Sequence, residues 1–218
     1  SYLVLKSNKH VFIEKTISEN SKTGEKLITF AKKKKLNIFV GHIFLHHPIL
    51  KKLKEIHKRE SITYLKMNWM RLDSFNEDIL LELVSHFLSI TIELLGTPKS
   101  IKVLNWEKKI SACDIITIEL IFTANKKCIL DINRLSNFKK RFITIITKQN
   151  TFQWEDDTLY KFNKKKQLFE LILKSKQTPL EIECETFIKN LNKKPNYSNS
   201  EKALKIIQVV EKCRNEMK

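Results

Sequence analysis

Apolar positions recur along this chain in two rhythms, and the change from one to the other divides it. In the first part, short unbroken apolar runs alternate with helical stripes. Residues 10–15 (HVFIEK) and 37–42 (NIFVGH) read as buried strands, because runs of this kind suit a sheet covered on both faces. Between them Leu27, Ile28, Phe30 and Ala31 keep helical spacing, with Ser21 or Thr23 placed to cap the helix. Two strands joined by one helix predict a parallel crossover unit. Ligands bind beyond the C-terminal ends of such strands, which here carry Glu14, Lys15, Gly41 and His42.

After Pro48 the rhythm changes. Ile49, Leu50, Leu53 and Ile56 form the stripe of an amphipathic helix ending near Arg59, and residues 61–72 predict a strand. Residues 76–96 (NEDILLELVSHFLSITIELLG) predict a long buried helix around which the rest is organised. From Lys99 onward strands dominate: Ile116, Ile118, Leu120 and Phe122 alternate with Thr117, Glu119, Ile121 and Thr123, the period of a sheet packed on one face. Further strands are predicted at 127–134, 141–147, 151–154, 159–162 and 168–173, with Asn125, Asn137, Asn150 and Asp156–Asp157 among the turns. They read as an antiparallel meander. Helices at 181–191 and 200–217 close the chain, the second capped by Ser198 or Ser200. The predicted class is α+β: an open antiparallel sheet domain with flanking helices over residues 43–218, preceded by a parallel β-α-β piece over residues 1–42.

Composition narrows the functional classes. With 218 residues, 42% of them hydrophobic, the chain can bury a sizeable core. No stretch approaches the roughly 20 apolar residues of a membrane span, and the N-terminus lacks a secretory pattern; no membrane partner and a cytoplasmic location are expected. Cys113, Cys128, Cys184 and Cys213 show no CxxC spacing, so reduced thiols are expected and no metal site. The formal charge is +17, yet only five of the 41 basic residues are arginine. Nucleic-acid readers concentrate arginine and aromatics on one face, whereas these lysines are scattered, so no nucleic-acid partner is expected.

The candidate chemistry sits on the central helix. Glu82 and His86 stand one turn apart, so a carboxylate and an imidazole can share one pocket. A histidine titrates near neutrality, and an adjacent carboxylate can orient it and stabilise its charged form. The same spacing also describes a satisfied core histidine beside a solvated glutamate. His47, Asn68, Trp69 and Arg71 precede the helix on loop or strand ends. They could meet the hydroxyl or carboxylate groups of a substrate, Arg71 suiting an acidic sugar; a surface arginine is the alternative.

The order of these segments resembles the Gfo/Idh/MocA family of NAD(P)-dependent sugar oxidoreductases. HVFIEKT (10–16) is similar to the family's HVxxEKP, VGHIFLHHP (40–48) to its post-strand segment, and ELVSH (82–86) to its Dxxx-His element. The resemblance implies that residues 1–42 are the last parallel piece of a Rossmann domain and that residues 43–218 shape the substrate pocket and a homo-oligomer interface on the open sheet. It implies NAD or NADP as cofactor, a small-molecule sugar as substrate, and hydride transfer at a carbinol carbon. Lys15 would polarise the oxygen, His86 would exchange its proton, Glu82 would orient the pair, and Glu14 and Lys15 would lie at the cofactor. There are departures: Thr16 replaces the proline of EKP, Glu82 stands for the usual aspartate, and Leu45 for a polar or basic residue. Gly24, Gly41 and Gly96 cannot supply a G-x-G-x-x-G turn. Ser1 falls in the last third of the family's Rossmann domain, so most cofactor contacts are expected outside this sequence, and tight NAD(P)H binding by the chain alone is not. The alternative is a catalytically inactive, truncated relative serving as a structural or assembly subunit.

Overall fold

The computed structural model describes residues 1–72 and 75–217. After a short helix α1 (Tyr2–Lys6), strand β1 (Val11–Glu14), helix α2 (Ser21–Lys34) and strand β2 (Ile38–Gly41) form the expected parallel crossover unit, with Val11 opposite Ile38 and Glu14 opposite Gly41. α2 is capped by Asn20, whose side chain accepts from Thr23 N at 2.9 Å, so the cap lies just upstream of the two candidates read from the sequence. One face of this small sheet buries Val11, Ile38 and Val40 against Leu27, Ile28 and Ala31 of α2 and Ala203 and Ile207 of the last helix. Every one of these is an apolar residue that both periodicities predict to point inward.

A 3-10 turn (Ile43–His46) leads into α3 (Pro48–Arg59), with proline in its first turn and His47 as N-cap. Strand β3 (Ile62–Met70) follows, then a π turn (Leu80–Val84) running into α4 (Ser85–Leu95). α4 is buried nearly all round, including Ser89 and Thr91, as befits a helix enclosed by other elements. Those hydroxyls donate back to backbone carbonyls, Ser89 Oγ to His86 O at 2.7 Å and Thr91 Oγ1 to Phe87 O at 3.1 Å, which removes the penalty of burying them.

Seven more strands follow: β4 (Ser100–Glu107), β5 (Ile115–Ile121), β6 (Lys127–Asn133), β7 (Lys140–Thr147), β8 (Thr151–Glu155), β9 (Thr158–Asn163) and β10 (Leu168–Lys174). With β3 they make an eight-stranded sheet in the order β10-β9-β8-β7-β3-β6-β5-β4. The fold is α+β as read from the sequence, but a simple meander is corrected at one place. β3 inserts between the consecutive strands β6 and β7, parallel to β6 and antiparallel to β7. Its consecutive buried residues Met67, Asn68 and Trp69 are those of an interior strand, covered on both faces.

Helices α5 (Pro179–Leu191) and α6 (Ser198–Glu216) return the chain to its beginning. α5 starts in a capping box between Thr178 and Glu181. α6 begins at Ser198 without a side-chain cap, so neither Ser198 nor Ser200 acts as one; Ser200 is buried and donates to Tyr197 O at 2.9 Å. α6 supplies Ile206, Val209 and Val210 to the large core and Ala203 and Ile207 to the small one, tying the β1-α2-β2 unit to the eight-stranded sheet. Among the described residues no helix is long and apolar enough to cross a membrane. Three cysteines are buried and free, while Cys184 is exposed on α5.

Candidate active site

The end of β1 and the π turn meet. Lys15, the residue after β1, directs its ammonium to the carbonyl oxygens of Glu82 at 2.9 Å and Leu81 at 3.5 Å and to the Glu82 carboxylate. A π turn disturbs the regular ladder of helical hydrogen bonds and is often found at functional sites; here its carbonyls receive a cation from another element. The three acceptors match the three protons of an ammonium. The Lys15–Thr16 peptide bond is cis.

His86 lies one turn further on. Its ring stacks on Trp69 with centroids 5.7 Å apart and takes the edge of Phe44 at 5.1 Å; Nδ1 is buried without a hydrogen-bond partner. Burial, then the charges of Lys15, His42 and Arg141, push its pKa down to about 3. Glu82 forms an ion pair with Lys15, and no hydrogen bond joins it to His86 among the described residues. The imidazole is neutral at physiological pH, because its nearest charges are cations and its surroundings are aromatic.

His42 follows β2 and is buried, with neither ring nitrogen hydrogen-bonded. Burial, then Lys15, Lys202 and His46, bring its pKa down to about 3. Sequence reading placed it only at a strand end; its isolation inside the protein was not visible there. Glu14 is exposed at the end of β1, and the Cβ that any other residue would place at Gly41 would lie 3.0 Å from the Phe12 ring and 3.4 Å from Glu14 Oε2. Any other residue there would require the Phe12 ring to give by a few tenths of an ångström.

The other predicted site residues are distributed differently. His47 is buried and occupied: Nδ1 accepts from Ile49 N at 3.2 Å, capping α3, and Nε2 meets Asp157 Oδ1 at 3.3 Å. Asn68 alternates with Trp69 along β3, so it faces the opposite side of the sheet from His86; it is buried, with Nδ2 unbonded. Arg71 lies beyond β3, its N–H donating to Asn133 O at 3.1 Å. The arginine that shares the rings around His86 is Arg141, opposite Trp69 in the β3–β7 register. Its Cζ lies 4.7 Å from the Phe44 ring centroid and 5.4 Å from that of Trp69. That pairing requires β3 to sit beside β7, which a meander does not provide.

A second polar pair lies nearby. Glu183 of α5 is 1% exposed. Its Oε1 and His46 Nε2 face each other at 3.8 Å, both without hydrogen-bond partners. Burial, then the Glu14 carboxylate, raises the Glu183 pKa to about 7, while burial lowers that of His46. An acid whose folded-state pKa is raised contributes stability in full below its unfolded value and loses it as pH rises through the folded one. Glu183→Gln is therefore expected to raise the unfolding temperature at pH 8, equivalent to about 1–3 kcal/mol, and to change it little at pH 5. Thermal unfolding followed by circular dichroism at the two pH values checks this, and equal effects at both would remove the buried acid from the account.

Whether β1-α2-β2 fits the pyrophosphate of a dinucleotide can be judged at the helix N-terminus, where such groups sit. That position is filled by the chain itself: Ser21 N and Ser21 Oγ each donate to the Glu211 carboxylate at 2.7 Å. No glycine lies between β1 and α2. These residues do not fit a pyrophosphate.

No protein-family model matches the sequence, and no curated protein matches it. Solved structures do. UDP-N-acetylglucosamine 3-dehydrogenase GnnA from Acidithiobacillus ferrooxidans superposes with a TM-score of 0.89 at 18% identity, covering 99% of this chain and 72% of the enzyme. The dehydrogenase MviM from Clostridium difficile gives 0.81 at 19% identity over 98% of this chain and 73% of its own. An NAD binding oxidoreductase from Klebsiella pneumoniae gives 0.81 at 13% identity over 98% and 73%. The likeness is one of fold: this chain shares the architecture of these three oxidoreductases.

Proposed function

We propose that this chain serves an oxidoreductase that exchanges a hydride between NAD or NADP and a hydroxyl-bearing carbon of a sugar or sugar derivative, with Lys15, Glu82 and His86 handling the proton. The observation that supports it most is the meeting of a strand-end ammonium with the helix that carries a neutral, aromatic-walled imidazole. Fold similarity to a sugar-nucleotide dehydrogenase and to an NAD binding oxidoreductase agrees with it. In this reading residues 1–42 belong to the nucleotide-binding side and residues 43–218 to the substrate side. The dinucleotide phosphates are held by polypeptide other than β1-α2-β2, whose helix N-terminus already holds Glu211.

The residues in hand perform the proton half of the reaction. Neutral His86 offers a ring nitrogen to a sugar hydroxyl as base and returns the proton in the reverse direction. Lys15 stabilises the negative charge that grows on that oxygen. Its longest hydrogen bond, 3.5 Å to Leu81 O, is the one a sugar oxygen displaces at least expense, while Glu82 keeps the ammonium aimed. Leu168, Phe169 and Leu171, exposed on edge strand β10, support self-association through the sheet.

A second reading, an inactive subunit used for assembly, is favoured by the Glu211-filled helix terminus. The two separate by fusing the nucleotide-binding half of the Acidithiobacillus enzyme upstream of Ser1 and following NAD(P)H absorbance over a panel of sugars. Sugar-dependent turnover supports the enzyme. A folded fusion with no turnover on any sugar supports the assembly subunit.

A further inference from the structure

We propose that Arg141 anchors an anionic group of the substrate, so that the sugar handled at His86 carries a carboxylate or a phosphate. The inference rests on the sugar site proposed above and adds its charge class. Phe44 and Trp69 each touch both groups: their ring centroids lie 5.1 and 5.7 Å from that of His86 and 4.7 and 5.4 Å from the Arg141 Cζ. The same two aromatic rings thus contact an imidazole and a guanidinium, and contact with the rings restrains the guanidinium.

The donors of Arg141 are not used up. A guanidinium has five N–H groups, and among the described residues the hydrogen bond it makes is the one from Nη2 to Asp156 Oδ1 at 3.3 Å. A quarter of its side chain remains exposed, and Asp156 is 73% exposed. An ion pair with so solvated a partner contributes little, so an incoming anion displaces it cheaply or shares the fork. Asp157, the next carboxylate on the β8–β9 turn, is engaged by His47 at 3.3 Å. A planar fork with free donors is the arrangement that recognises carboxylate and phosphate oxygens in pairs. The anion also bears on the chemistry, since Arg141 is one of the cations that disfavour protonation of His86. Neutralising it makes the imidazole a stronger base in the occupied site than in the empty one.

The test uses the chain as it stands. Methyl glucoside, glucuronate and glucose 1-phosphate are titrated into wild type, Arg141→Gln and Arg141→Lys, with affinity measured by calorimetry and the His86 ring signals followed by NMR. Glucuronate or glucose 1-phosphate is expected to bind about 10–100-fold more tightly than methyl glucoside, the preference shrinking as salt is added. Arg141→Gln is expected to reduce it below about twofold and Arg141→Lys to retain part of it, with the His86 signals moving on sugar binding in all three proteins. Which of the two acidic sugars binds better identifies the anion. If methyl glucoside binds as tightly and moves the same His86 signals, the anion anchor is overturned while the sugar site stands. A preference unchanged in Arg141→Gln places the anion elsewhere and also overturns it. If no sugar moves His86, both the anchor and the sugar site fail.

Discussion

Asp114→Ala is expected to lower the unfolding free energy by about 3–5 kcal/mol, the usual consequence of removing one partner from a buried ion pair. Asp114 is fully buried and its partner Arg134 is 2% exposed. The carboxylate accepts from the backbone N–H groups of Lys109, Ile110 and Ser111 at 2.7, 2.6 and 3.1 Å, from Ser111 Oγ at 2.5 Å and from Arg134 Nε at 3.3 Å. It therefore closes the loop between β4 and β5 and offsets a guanidinium that also donates to Glu77 O and Cys113 O at 2.9 and 2.7 Å. Alanine takes a buried anion away from that guanidinium and leaves three N–H groups without their acceptor. Burial pushes the carboxyl pKa up, but the hydrogen bonds from Ser111, Ile110 and Lys109 outweigh it and hold the group well below the ordinary carboxylate range. An acid with a depressed pKa contributes stability that is present above its unfolded value and lost as pH falls through the folded one. The gap between wild type and variant should accordingly be full at neutral pH and narrow only in strong acid. Urea unfolding measures it; a loss under about 1 kcal/mol would mean that the loop is held by something else.

His86→Gln in the fused enzyme is expected to lower kcat by about 10²–10⁴, the range that a positioned general acid or base supplies. Glutamine fills similar space and keeps hydrogen-bonding atoms, but it accepts no proton near neutral pH. Because Phe44 and Trp69 wall the site and remain in place, KM should change little, the pattern of an interaction needed chiefly in the transition state. Steady-state kinetics on the best sugar decides it, and a loss smaller than tenfold takes His86 out of the proton path.

Much of this could be read from residue patterns because it follows from periodicity. The strand runs 10–15 and 37–42 and the apolar stripe of α3 are local signals, and the structure places β1, β2 and α3 there. What remained hidden depends on partners distant in sequence. The insertion of β3 between β6 and β7 brings Arg141 opposite Trp69; nothing near Arg141 in the chain announces that neighbour. The i, i+4 spacing of Glu82 and His86 suggested a direct pair, yet the π turn and a lysine from β1 claimed the carboxylate. Charge inverted the reading in the same way: a carboxylate beside a histidine raises its pKa, but once Lys15 neutralises that carboxylate, burial dominates. Asn68 and Arg71 lie just before the central helix in sequence, but strand alternation sends Asn68 to the other face. Glu183 and His46 carry no motif, and their pairing exists because α5 packs on the turn after β2.

The most direct measurement is the NMR titration of the His86 ring in wild type and in Lys15→Met. The account predicts an imidazole that stays neutral from pH 8 down to pH 5 in wild type and begins to protonate at higher pH once the neighbouring ammonium is gone. A midpoint near 6.5 in wild type, unmoved by Lys15→Met, would show that the strand end and the central helix do not share a site.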